Sequence, residues 1–252
     1  MLPRILFAAA ALGVLGTPAE PLRYKIEVKS GQQMDMTSLG QGAIDVKLTS
    51  SSWVSITTRD SAGQQLLHVV VDSTQIDAVG LPGGVDPAMM KVPNGTVLDL
   101  ALVAGKLQGL TPEVMGSSPG MGFVAAGIAL LYPPAMRAGV KLGDSWVDTV
   151  TTDTTTAIGK GSSIQIRQWK ASAMESDAMV LDNSFTGTMT LGGGMAEVSA
   201  TSKGTNHITI GSKGPALKAS TESTTNMTMS IAAAPSPIQM VATNAVTVTP
   251  IK

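Results

Sequence analysis

The stretch Gly139-Val140-Lys141-Leu142-Gly143-Asp144-Ser145-Trp146 marks the point where the chain changes character. Gly143-Asp144 has the chemistry of a turn: glycine tolerates a left-handed backbone, and aspartate bonds to backbone groups nearby. Trp146 then opens a long run with the largest side chain available for burial. Immediately upstream, residues 122–132 (GFVAAGIALLY) are apolar on nearly every side, the composition of a buried helix. Pro133-Pro134 ends that helix, because proline lacks the N–H a further turn needs.

Downstream of Trp146 the pattern is that of strands. Segments 146–156, 164–174, 178–191, 195–201, 207–210, 216–231 and 238–249 are rich in Thr, Val and Ile. Gly159-Lys160-Gly161, Gly192-Gly193-Gly194 and Lys213-Gly214-Pro215 supply turns between them. Successive strands with short links predict an antiparallel meander. Upstream, Leu22-Arg23-Tyr24-Lys25-Ile26-Glu27-Val28-Lys29 alternates strictly between apolar and charged residues, as a strand with one wet face does. Residues 31–42 are turn-rich, and 43–48 and 53–57 read as two further strands. Segment 66–71 is apolar on both faces, which predicts an interior strand. A long loop over 80–95 with a helical turn near 87–91 leads to a hairpin, 96–102 with 106–110. The expected fold is therefore mainly β: one long, curved antiparallel sheet, an incomplete barrel, wrapped around a short buried helical segment. Residues 20–252 are expected to form a single domain with the helical insert near 112–138.

Composition narrows the function. Lys and Arg number 17 against 18 Asp and Glu, so there is no basic footprint for nucleic acid. Aromatic residues make up 3%, too few for base- or sugar-stacking platforms. Cysteine is absent, which removes disulfides, thiolate metal sites, cysteine nucleophiles and an N-terminal lipid anchor on cysteine. Residues 1–19 have the layout of a secretory signal: Arg4, an apolar run over 5–15, then small residues at Thr17-Pro18-Ala19. That run is shorter than the roughly 20 apolar residues a membrane span needs. The expectation is an exported protein, periplasmic or extracellular, that does not span the membrane.

Several motifs invite chemistry. Gly116-Ser117-Ser118-Pro119-Gly120 has the spacing of a nucleophile elbow with His207 downstream, but Pro119 cannot donate the backbone N–H that the oxyanion hole requires. The expectation is a loop before the helix, and no enzyme. Gly120-Met121-Gly122-Phe123-Val124-Ala125 mimics a dinucleotide fingerprint without the strand that must precede one, so close helix–sheet packing is expected and no cofactor. His68 and His207 are the only histidines and show no metal-ligand spacing, so no metal site is expected. Met34 and Met36, and Met227 and Met229, stand two apart. On a strand each pair shares a face, either as a soft copper(I) site or, as favoured here, as adaptable apolar lining.

Tyr24-Lys25-Ile26, Val71-Asp72-Ser73, Val140-Lys141-Leu142-Gly143-Asp144-Ser145-Trp146, and Ile210 through Gly214 to Leu217-Lys218-Ala219-Ser220 follow one another along the chain. In this order they resemble a family of bacterial exported proteins, the domain of unknown function 6263. The resemblance implies an envelope protein and brings no catalytic residues. Many relatives look like lipoproteins, and this chain departs from them in lacking the cysteine. The architecture is also similar, at the level of fold alone, to the incomplete barrels of envelope lipoprotein carriers.

The functional expectation is a non-catalytic envelope protein whose hollow sheet holds an acyl chain or another apolar small molecule. The candidate lining is Met121, Phe123, Ala126, Ala129, Leu130 and Trp146. The alternative is a structural module with a filled core that binds another envelope protein. These patterns specify no oligomeric state.

Overall fold

A computed structural model describes residues 20–251 except 38–39, 41, 62–63, 82–85, 104–105, 112–113, 115–117, 119, 134–138, 156–158, 194–195, 212–214 and 233–234. The expected secretory signal lies outside the described residues.

Eleven strands form one antiparallel sheet: β1 (Leu22–Asp35), β2 (Ala43–Ser61), β3 (Gln64–Val79), β4 (Thr96–Val103), β5 (Lys106–Gln108), β6 (Ser145–Thr155), β7 (Lys160–Glu175), β8 (Ala178–Gly193), β9 (Ala196–Ile210), β10 (Ala216–Ile231) and β11 (Ile238–Pro250). Their spatial order is β5-β4-β3-β2-β1-β11-β10-β9-β8-β7-β6, so the sheet is open and ends on β5 and β6. Two meanders of opposite direction are joined at the middle by the first and last strands, which pair from Tyr24 with Pro250 to Asp35 with Gln239. A 3-10 turn, Pro87–Met90, sits in the loop after β3, with Asp86 Oδ1 accepting from Ala88 N at 2.8 Å. The α-helix α1 (Met121–Leu131) packs on β10, β11 and β1.

The strands are longer than their sequence patterns suggest. Segments 43–48 and 53–57 belong to one 19-residue strand, and 196–201 and 207–210 fall in one 15-residue strand. The missing links, Ser50-Ser51-Ser52 and Lys203-Gly204-Thr205-Asn206, are polar. They stay in register because every residue there is paired with a neighbouring strand on both sides. Bulges at Trp53/Val54, Ala171/Ala173 and Ala216/Lys218 interrupt the ladders, each adding local twist.

Register sorts the side chains into two faces. Tyr24, Ile26 and Val28 on β1 stand in rows with Val54 on β2 and with Val248 and Val246 on β11. These rows continue through Ala219, Ile208, Leu181 and Ala171 to the far meander. All are buried, and together with α1 they make one core on what we call the helix face. The other, outer face is polar and hydroxyl-rich, with Lys25 Nζ lying 5.6 Å from the centroid of the Trp53 ring.

The central stretch does what its composition predicts. Gly143 takes φ 91°, Lys141 N donates to Asp144 Oδ2 at 2.9 Å, and Asp144 N donates to Lys141 O at 3.0 Å. Two further bonds, Gly143 N to Ala171 O at 2.8 Å and Ala171 N to Asp144 O at 2.9 Å, tie this turn to β7. β6 therefore starts at Ser145, opposite Lys170, and sets Trp146 directly opposite Trp169.

Candidate functional site

The helix is buried on one side and open on the other. Met121, Val124, Ala125, Gly127, Ile128 and Leu131 face the sheet. Phe123 and Leu130 are half-buried, and Ala126 and Ala129 are exposed. This corrects the expectation of a helix enclosed all round. A run this apolar can lie half open when its outward residues are small, since alanine loses little by exposure. The contact beneath it is tight: a Cβ at Gly127 would meet Ile26 Cγ2 at 2.4 Å, and one at Gly120 would meet Met90 O at 2.1 Å. A Cβ at Gly122 would meet nothing within 4 Å. The glycines that resemble a dinucleotide fingerprint thus split, Gly120 serving close packing and Gly122 standing in open space.

Trp146 is half-buried and stacks on the buried Trp169, with centroids 5.9 Å apart and planes 8° from parallel. Trp169 Nε1 donates to Asp148 Oδ1 at 3.2 Å. Trp146 stands on β6, the far edge strand, and the helix lies over β10, β11 and β1; Met121 belongs to the core against which Phe123, Leu130 and Trp146 all pack, while Ala126 and Ala129 are exposed. Of the six, Trp146 borders the depression around Asp182 and His207.

Ser118 and His207 are not brought together either. Ser118 O accepts from Met121 N at the start of the helix. His207 lies on the outer face, its Nδ1 2.7 Å from Asp182 Oδ1. His68 is also on the outer face, its Nδ1 2.8 Å from Asp99 Oδ1. Each histidine is thus a cross-strand partner of an aspartate. Among the described residues no group of three or more His, Asp or Glu side chains could hold a metal ion.

The depressions lie elsewhere. One of about 900 Å³ crosses six strands and is bordered by Lys29, Lys47, Lys203 and Glu222 among many hydroxyls. Its lining contains two full rows of outer-face residues and none of Val28, Gln32, Val246 or Ala242, which would wall it on the helix face, so it opens outward. A second, of about 740 Å³ around Asp182 and His207, opens outward by the same test. On the helix face, a depression of about 390 Å³ is lined by Val150, Ser163, Gln165, Arg167, Gly187, Met189, Ala200, Ser202 and Thr225. A twisted sheet is saddle-shaped, so hollows on both faces are expected of it.

The helix-face depression continues into a feature that the methionine spacing only partly signalled. Met189 on β8 is opposite Ala200 on β9, Ala200 opposite Met227 on β10, Met227 opposite Met240 on β11, and Met240 opposite Met34 on β1. Ile44 on β2 extends the row. Met229, with Ile238, Val198 and Leu191, forms the next row. The methionines are half-buried. Gln32 Nε2 donates to Met240 Sδ. Met36 lies beyond the end of β1 and is not in this row. Met189 and Met240 were the members that sequence spacing alone could not supply, because their partners are on other strands.

Among the described residues no helix is long and apolar enough to cross a membrane. No family model matches the chain, and no curated protein matches it. Among solved structures the chain is similar to lipovitellin, a protein described for its lipid–protein interactions. The TM-score is 0.50 at 10% sequence identity, over 94% of this chain and 25% of that one. The chain thus spans about a quarter of that protein's length, and at this identity the likeness is one of fold: a large open antiparallel sheet.

Proposed function

We propose that this chain is a non-catalytic exported envelope protein that holds an acyl chain or a similar apolar molecule against the helix face of its sheet. In this reading it belongs with the family of exported proteins that its sequence resembles. The supporting observation is the row Met189-Ala200-Met227-Met240-Met34-Ile44, which α1 leaves uncovered at the end of the sheet away from Ile26. Five strand spacings separate β8 from β2, about 24 Å at the usual distance between neighbouring strands, the scale of an extended long acyl chain. Methionine suits such a surface because its flexible thioether adapts to a chain of variable shape. The fold likeness to lipovitellin is compatible with this role and supplies no contact of its own.

The ligand would not lie between helix and sheet, because that space is filled: Val124, Ile128 and Leu131 are wholly buried against the sheet core. The filled core favours a second reading, a structural or protein-interaction module without a small ligand. Titration with a fluorescent polyene fatty alcohol separates the two. Half-buried Ala242 lies on β11 two residues from Met240, on the same face. Ala242→Trp is expected to weaken binding at least tenfold, while Ala126→Trp, on the open side of the helix, leaves it unchanged. Absence of binding to the unmodified protein would favour the structural module.

A further inference from the structure

On the face that carries the apolar row, β7 and β6 bring one cation, Arg167, and the acid directly opposite it, Asp148. Arg167 stands on β7, opposite Asp148 on β6 and Phe185 on β8. It borders the 390 Å³ depression together with Gln165, Ser163, Ser202 and Thr225, and Met189 and Ala200 on the same wall lead into the methionine row. Its guanidinium is half-buried, and Arg167 Nε donates to Gln165 Oε1 at 2.6 Å. Among the described residues no carboxylate oxygen lies within 4 Å of its nitrogens, and the salt bridges present involve only lysines and histidines. Asp148 faces Arg167 directly across the strand pair but does not line the depression, and its Oδ1 accepts from Trp169 Nε1.

We infer that Arg167 recognises the anionic head of the ligand, so that the molecule bound is a long-chain carboxylate whose hydrocarbon crosses the depression from Arg167 to Met189 and runs on along the methionine row. This rests on the acyl-chain reading of the same face. Arginine has five donors in a planar fork; Nε is spent on Gln165, and the terminal nitrogens suit the two oxygens of a carboxylate. Ser163 and Ser202 bring hydroxyls to the same depression, and Gly187 and Ala200 leave its floor low enough for a head group. Desolvation lowers the pKa of Arg167 while Asp148 pushes it back up, the signature of a cation held partly out of water. Such a cation gains most from a partner that arrives with its own charge.

The test compares a fluorescent polyene fatty acid with the alcohol of the same chain, on the full protein at neutral pH. The unmodified protein is expected to bind the acid at least tenfold more tightly than the alcohol. Arg167→Gln should abolish that difference by weakening the acid alone, and Arg167→Lys should keep part of it. Asp148→Asn, which removes the competing acid without touching the arginine, should tighten the acid severalfold and so checks the assignment even if Arg167→Gln fails to fold. Equal binding of acid and alcohol by the unmodified protein, or an unchanged acid affinity in a folded Arg167→Gln, would overturn the role of Arg167 and leave the acyl-chain reading standing. Binding of neither probe would overturn both.

Discussion

Gly127 and Ile26 meet where the helix crosses the sheet: the Gly127 backbone lies so close that a Cβ there would fall 2.4 to 2.8 Å from three side-chain atoms of Ile26. Ile26 is itself 1% exposed, so it has nowhere to move. Gly127→Ala is therefore expected to destabilise the protein, with overpacking of about 1–3 kcal/mol exceeding the helix-propensity gain of about 1 kcal/mol. Gly122, in the same helix but with open space around it, should respond in the opposite sense, with Gly122→Ala adding about 0.5 kcal/mol. Urea midpoints of the two variants check both signs at once.

The two tryptophans at the far edge of the sheet should be unequal. Trp169 is 5% exposed and carries both the stack and the bond to Asp148, so Trp169→Ala is expected to cost about 3–5 kcal/mol. Trp146 is half-buried on the edge strand, and Trp146→Ala should cost less, mainly the stacking contribution of about 0.5–1.5 kcal/mol and some area. Equal losses in chemical denaturation would mean that the edge strand is packed as tightly as the interior.

Asp182 gives the fold an acid-dependent component. The neighbouring Ser172 hydroxyl chiefly, then the His207 imidazole, holds its carboxyl below the usual carboxylate range, against some desolvation. A carboxyl depressed in the folded state contributes stability above its unfolded pKa of about 3.9, and the contribution is lost as pH falls through the folded value. The side chain is 48% exposed, so solvent screening keeps the effect small. Asp182→Asn is expected to cost about 0.5 kcal/mol at pH 6 and nothing once both states are protonated. Thermal unfolding across the acid range should show the two curves converging.

The β1–β11 seam should control both folding rate and cooperativity. It pairs the two ends of the described chain, and Val248 on β11 is wholly buried at the centre of the core. Contacts this distant in sequence are slow to form, so refolding is expected in the millisecond-to-second range rather than faster. Val248→Ala should cost about 2–3 kcal/mol, and removal of residues 238–252 should abolish a single cooperative unfolding transition. Stopped-flow refolding and calorimetry test these expectations.

Much of the fold was legible in local pattern. The strict alternation over residues 22–29 placed one face of β1 in the core, Gly143-Asp144 placed the turn before β6, and the apolar run ended by Pro133 located the helix within one residue at each end. These are effects of neighbours in the chain, namely backbone conformation, turn chemistry and the side-chain period, and they need no distant partner. Strand lengths were less legible: Ser50 and Ser52 are polar by type yet 1% exposed, buried by the strands on either side.

What tertiary structure alone decided is which residues share a row and which side of an apolar helix is covered. Nothing local distinguishes Ala125, which is 3% exposed and faces the sheet, from Ala126, which is open to solvent. The direction each faces is set by where Gly127 permits contact with Ile26. Likewise Met34, Met227 and Met240 are far apart in sequence and become neighbours only because the chain's two ends pair in a single register. Composition determined that this protein would be an antiparallel sheet with little charge and no thiol chemistry. Long-range pairing determined where that sheet carries its uncovered apolar row and set Arg167 on the border of the depression into which that row leads.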